Sequence, residues 1–245
     1  MLNAAADEFP ALDSIPWIHY VHVNERKFGA TNATAFGPTL RAIVEALNAP
    51  PFLEWLRRLT GLADLFPDDS LEGGGLHQSA RGGFLNIHAD FTVHPHHADW
   101  RRRVNVLLYL NRNWKEEYGG HLELWDAGMK ACVRKVLPVF NRAVIFSTDH
   151  DSFHGHPEPL ACPDTMTRKS IALYYFTKGP GPVFVRSTEY RPRPGEGLGA
   201  LWIRLDNLAL RAYDRAKRML GIDDRFASMM LRTMSRILGR HGRDG

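Results

Sequence analysis

The chain is expected to fold as a mainly β protein with flanking α-helices, its core a sandwich or barrel-like jelly roll at about residues 76–178. Three observations lead there. Between residues 83 and 177, short runs rich in Val, Ile, Leu, Phe and Tyr lie close together, separated by turn residues. Ahead of them, apolar residues recur at helical spacing. Behind them, a Pro/Gly-rich stretch leads into a second helical pattern.

Residues 1–35 read as an irregular lead-in with one strand at 17–23. Over 39–47, Leu40, Ile43, Val44 and Leu47 have helical spacing, and Pro50 and Pro51 break the pattern. A second helix is expected at 52–59, with Phe52, Leu53, Leu56 and Leu59 on one side. Gly73–Gly75 mark a loop. The candidate strands follow at 83–88, 103–110, 121–125, 132–137, 143–147, 153–156 and 169–177. The Pro/Gly-rich arm includes Gly179–Pro182 and Arg191–Gly195. From 198 to about 238, Trp202, Leu205, Leu208, Ala212 and Ala216, then Phe226, Met230, Met234 and Ile237, suggest two helices around Gly221. This divides the chain into a domain at 1–180 and a basic helical extension at 181–245.

Its 245 residues, 44% hydrophobic and 24% charged, suit one generous globular domain with an appended piece. Cys132 and Cys162 make no CxxC or CxxH spacing, which argues against a thiolate zinc site. No apolar run reaches transmembrane length, and Met1–Pro10 has no signal-peptide pattern, so a reducing cytoplasm is the expected setting. The net charge of +4 is concentrated after Ala200 and reads first as a solvated basic face, not a specific nucleic-acid signal.

The chemistry centres on His88-Ala89-Asp90. On a strand, residues two apart share a face. An imidazole and a carboxylate so placed can take adjacent positions on one metal, and a histidine from a facing strand completes a 2-His-1-carboxylate facial triad with open positions, the pattern of non-haem Fe(II) oxygenases. His154 begins such a run. Arg168 and Ser170 open the strand after it and share a face; a guanidinium fork and a hydroxyl suit one carboxylate.

Residues 83–178 resemble the 2-oxoglutarate/Fe(II) dioxygenase superfamily, in its prolyl-hydroxylase-like branch. In order, the matching pieces are His88-Ala-Asp90, Val106-Leu-Leu-Tyr-Leu-Asn111 with Trp114, Gly119-Gly120-His-Leu-Glu-Leu124, Pro138-Val-Phe-Asn-Arg142 with Ile145-Phe146, His154, and Arg168 before Tyr174-Tyr-Phe176. The resemblance implies a double-stranded β-helix core and Fe(II) at His88, Asp90 and His154. It implies 2-oxoglutarate as co-substrate, its distal carboxylate on Arg168 assisted by Tyr109, with Gln78 near the pocket lining. It implies O2 as oxidant, succinate as co-product, and ascorbate as a candidate stimulant. Asp90 favours hydroxylation, because halogenating relatives carry a small residue there. The interval from His154 to Arg168 is longer than in prolyl hydroxylases of closest pattern, so a prolyl residue of a protein or peptide stands beside a free amino acid or small biosynthetic metabolite as substrate.

Other readings stand beside this one. His94-Pro95-His96-His97 reads as a loop, solvated or facing substrate, and is the basis for a rival zinc-hydrolase reading. A metal-binding jelly roll without redox turnover is a further alternative. His156, and less so His150, compete with His154 for the third ligand position. Asn86 shares the face of His88, and Arg101-Arg102-Arg103 reads as the solvated start of a strand with Arg103 inward-facing as the variant reading. Core packing, then a homodimer contact, then an anionic membrane surface are the readings of the C-terminal helices.

Overall fold

The structure, a computed structural model, describes residues 1–179, 188–197 and 199–203. Most of the expected C-terminal helical extension, and part of the Pro/Gly arm, lie outside the described residues. The elements in order are α1 (Leu2–Asp7), β1 (Ile18–His22), β2 (Glu25–Ala30), α2 (Pro38–Asn48), α3 (Pro50–Thr60), β3 (Phe66–Pro67), β4 (Gly75–Ser79), β5 (Phe84–Ala89), β6 (Val93–His94), β7 (His97–Tyr109), β8 (Leu122–Trp125), β9 (Cys132–Val136), β10 (Arg142–Ser147), β11 (His154–His156), β12 (Arg168–Lys178) and β13 (Glu189–Tyr190).

The strands pair antiparallel in the order β10-β7-β12-β4-β2-β5-β11-β8-β9, with β1 on β2, β3 on β12, β6 on β7 and β13 on β5. The path rolls over on itself. Phe146 on terminal β10 meets His154 on β11 edge-on, with ring centroids 4.8 Å apart, although several strands separate them along the path. This is the jelly roll expected from the spacing of the runs.

Strand alternation divides the two faces of β7 and β12. Val104, Val106 and Leu108 with Ile171, Leu173 and Tyr175 point outward and share one core with Leu40, Ile43 and Leu56 of the helices. The Tyr175 hydroxyl donates to Leu47 O at 2.9 Å, tying β12 to the end of α2. On the inner face Asn105 and Tyr109 of β7 and Ser170 of β12 are buried and polar, so the lumen is lined by chemistry instead of aliphatic packing.

Several elements were not expected, α1 and β4 among them, and three departures have a plain physical reason. Pro50 and Pro51 end α2 but also form the first turn of α3, where the missing N–H has no helical partner to lose. β2 went unrecognised because its inward positions Glu25, Lys27 and Gly29 are polar or small, which hides the period of two. His97–Trp100 belong to β7, not a loop: β12 continues its pairing as far as Lys178 opposite Trp100, and this tertiary partner overrides the local polar composition.

Candidate active site and metal centre

His88 on β5 and His154 on β11 are direct cross-strand partners, with ring centroids 4.5 Å apart. Gly155 permits this close approach. A Cβ there would lie 2.6 Å from Leu85 O and 2.7 Å from Asn86 O, so only glycine lets β11 seat against β5. Asp90, one residue beyond β5, brings its carboxylate to both rings: Oδ1 is 3.4 Å from His88 Nε2, and Oδ2 is 3.4 Å from His154 Nε2.

The other ring nitrogens orient the pair. His88 Nδ1 lies 2.9 Å from Asn86 O and His154 Nδ1 3.1 Å from Ser152 O. A carbonyl oxygen only accepts, so each Nδ1 carries the proton and each Nε2 offers its lone pair to the shared centre. Burial pushes His154 down to about 4 against the opposing pull of Asp90, which keeps its imidazole neutral. Burial alone would raise the Asp90 carboxyl, but Arg102 and the histidines hold it well below the usual carboxylate range, so it is ionised. Two imidazoles and one carboxylate, with ligand atoms within 4.8 Å of one another, fit a divalent metal of the Fe(II) type.

Arg168 opens β12 and is buried. Its Nε donates to Gly120 O at 2.8 Å and its Nη2 to the Tyr109 hydroxyl at 3.2 Å. Burial raises the Tyr109 phenol above its ordinary value despite Arg168, so it stays protonated and can accept from the guanidinium while donating onward. Ser170 lies directly opposite Tyr109 and is buried. Asn105, which donates to Asp90 Oδ2 at 2.9 Å, sits four residues before Tyr109 on the same face of β7. The triad and the Arg168-Tyr109-Ser170 cluster therefore line one lumen, two pleats apart, an arrangement able to hold a dicarboxylate between a metal and a cationic anchor.

Gln78 is placed differently from expectation. It pairs with Lys169, and residues opposite each other share a face, so it points to the other side of the sheet from Arg168 and Ser170. There it donates to Pro10 O at 3.2 Å and accepts from the Thr167 hydroxyl at 2.6 Å. Its neighbour His77, opposite Ser170 and Gly29, takes the lumen position. Burial pushes His77 down to about 3, and it meets Gly73 O at 3.1 Å. With it on the inner wall stand Glu25 and Lys27, paired at 3.1 Å. The signal for these three was alternation along β2 and β4, legible only once the register was known.

The competing histidines disperse. His156 is buried but pairs with Leu85 outside the triad, His150 is exposed beside Asp149, and His94 lies 3.4 Å from Asp68. His97 stacks on Trp100 at 4.0 Å. Among the described residues His94, His96 and His97 bring no three ligand atoms together, which removes the basis for a zinc site there.

The jelly roll thus brings two histidines and one aspartate together in a lumen that also holds a buried arginine. Residues 74–176 match the family model of the 2OG-Fe(II) oxygenase superfamily. The mouse (Mus musculus) prolyl 3-hydroxylase OGFOD1 is 31% identical over 97 residues, 38% of this chain and 17% of that protein, so the chain spans about a sixth of its curated relative. Among solved structures, a Trichoplax adhaerens prolyl hydroxylase in complex with a hypoxia-inducible factor peptide is 22% identical, with a TM-score of 0.42 over 64% of this chain and 66% of that one. HygX from Streptomyces hygroscopicus, with nickel and 2-oxoglutarate bound, is 14% identical, with a TM-score of 0.46 over 76% and 87% of the two chains.

Proposed function

We propose that this protein is a 2-oxoglutarate- and Fe(II)-dependent dioxygenase that hydroxylates an unactivated C–H bond, with a prolyl residue of a protein or peptide as the substrate class. The observation that carries the reading is the convergence of His88 Nε2, His154 Nε2 and the Asp90 carboxylate in a lumen that also holds Arg168. The prolyl assignment draws on the likeness to a prolyl 3-hydroxylase. The catalytic unit in this reading is residues 1–180 together with β13, which pairs with β5 opposite His88, and the remainder of 181–245 is an appendage.

In this reading His88, Asp90 and His154 hold the metal, and Arg168, Tyr109 and Ser170 hold the distal carboxylate of 2-oxoglutarate. Bound Fe(II) supplies the site for oxidative decarboxylation of 2-oxoglutarate to succinate and CO2, with one oxygen atom of O2 entering substrate and the other succinate. The chain's own part is orientation and exclusion of water. The carbonyls of Asn86 and Ser152 hold both imidazoles in the metal-facing tautomer. The Gly120 carbonyl and Tyr109 hydroxyl fix the plane of the Arg168 fork. The wall around them is buried, which strengthens each charge interaction inside.

The test is succinate formation by protein purified without oxygen, then supplied with Fe(II), 2-oxoglutarate and air, beside Asp90→Ala and Arg168→Ala. Wild type should form succinate and both variants should fail. Proline-containing peptides, free proline and small hydroxylatable metabolites are then compared for gain of one oxygen by mass. No succinate from wild type together with no visible charge-transfer band on anaerobic 2-oxoglutarate addition to the iron-loaded protein, or succinate from both variants as from wild type, would refute the cofactor assignment. Oxygen gain on free proline but not on peptides would refute the substrate class.

A further inference from the structure

Arg102 belongs to the basic run at the start of the long β7 strand, yet its side chain is 1% exposed. Nη2 lies 2.9 Å from Asp90 Oδ2, off the line of a hydrogen bond, so the contact is ionic. Nε donates to Asn105 Oδ1 at 2.9 Å, and Asn105 Nδ2 donates to the same Asp90 Oδ2 at 2.9 Å. The guanidinium plane is gripped as well: its central carbon lies 3.4 Å over the Tyr174 ring and 4.6 Å over that of Phe91. Tyr174 is itself anchored, its hydroxyl donating to Gly73 O at 2.9 Å.

Resting on the metal-centre reading above, we infer that Arg102 is a positioning residue for the metal: with Asn105 it pins one oxygen of Asp90, so that the carboxylate binds through the other alone. A carboxylate free to turn can bind through both oxygens and occupy a coordination position that the facial triad leaves open for co-substrate and O2. Oδ2 lies 3.4 Å from His154 Nε2 but is held by a charge and an amide, which leaves Oδ1, 3.4 Å from His88 Nε2, as the oxygen with no such partner to give up. The planar fork matters, because a lysine ammonium cannot reach Asp90 and Asn105 together while also lying over the Tyr174 ring.

Charge and orientation predict opposite results. Arg102 offsets the charge of Asp90, so electrostatics alone says that its removal tightens binding of a divalent cation. Orientation says that removal loosens it. The experiment is titration of the metal-free full chain with Co(II) alone, for wild type, Arg102→Met, Arg102→Lys and Asn105→Ala, with His154→Ala as the control for the centre. Arg102→Met is expected to weaken Co(II) roughly 10- to 100-fold, the usual size of losing an outer partner of a metal ligand, with Arg102→Lys recovering only part. Each variant is then loaded with saturating Fe(II) and 2-oxoglutarate without oxygen, and the charge-transfer band should shift or fade in Arg102→Met. Equal or tighter Co(II) binding by Arg102→Met with an unchanged band overturns the inference while leaving the metal centre intact. If Arg102→Met does not fold by circular dichroism, Asn105→Ala decides, since it removes the amide on Oδ2 and the acceptor for Arg102; wild-type affinity there overturns the proposal. Wild type and His154→Ala binding Co(II) alike overturns the metal centre itself, and the role of Arg102 with it.

Discussion

The Arg168 guanidinium and the Tyr109 hydroxyl, side chains of adjacent strands, meet at 3.2 Å inside the barrel, and neither is exposed to bulk water. Arginine here has a carbonyl and a phenol as partners, and among the described residues no carboxylate lies within ion-pair distance of it. A buried cation so held is set up to receive an anion. Arg168→Ala should therefore weaken 2-oxoglutarate roughly 30-fold or more, about 2 kcal/mol at least. Tyr109→Phe, which removes one hydrogen bond, should cost about 1 kcal/mol. Both should leave Co(II) affinity unchanged. Calorimetric titration measures this, and equal 2-oxoglutarate binding by wild type and Arg168→Ala would contradict it.

Gly120 supports the same anchor. Its φ is +72°, and an added Cβ would lie 2.5 Å from Leu160 Cδ2 and 3.0 Å from Arg168 Cδ. Gly120→Ala thus faces both backbone strain and a collision with the residue its carbonyl orients. It should lower stability by about 1–3 kcal/mol in urea unfolding and raise the KM for 2-oxoglutarate, whereas the exposed Gly195→Ala should not change that KM.

Acid should destabilise the fold through His77. Burial holds its folded-state pKa at about 3, against an ordinary value near 6.5. Between those limits the unfolded chain binds a proton that the folded one refuses, so stability falls as pH drops below about 6.5 and the loss is complete near the folded value. The slope contributed is at most about 1.4 kcal/mol per pH unit. Urea midpoints taken from pH 7 to pH 5 should decline, and His77→Gln should decline less steeply; parallel slopes would show that His77 does not carry the effect.

Leu56 tests the helical support. It is fully buried in the core between the helices and the outer face of β7 and β12. Leu56→Ala should cost about 2–5 kcal/mol of stability. Because that core lies on the opposite face of the sheet from Asn105 and Tyr109, Co(II) affinity of the folded variant should match wild type. A large loss of affinity would mean that the two faces are coupled.

Legibility in the sequence followed physical rules. His88 and Asp90 could be read because their spacing is local, and strand geometry converts a spacing of two into a shared face. Arg168 and Ser170 were read in the same way. Gln78 misled because the choice between it and His77 depends on the phase of β4, and a shift of one residue exchanges the faces. Arg102 looked like the solvated start of a strand, since a charge run with no known partner carries no hint of burial. Its partners, Asp90, Tyr174 and Phe91, come from other segments of the chain.

The sequence by itself determined the mainly β character, the helices at the N-terminal side and the identities of the residues able to bind a metal, since periodicity and side-chain chemistry are properties of short stretches. Only the tertiary structure decided which histidine meets His88, which face of β4 looks inward, and which arginine of three sits on Asp90. Those choices depend on pairing register and on how the sheet closes, where the partners are distant in the chain and a displacement of one residue reverses the outcome.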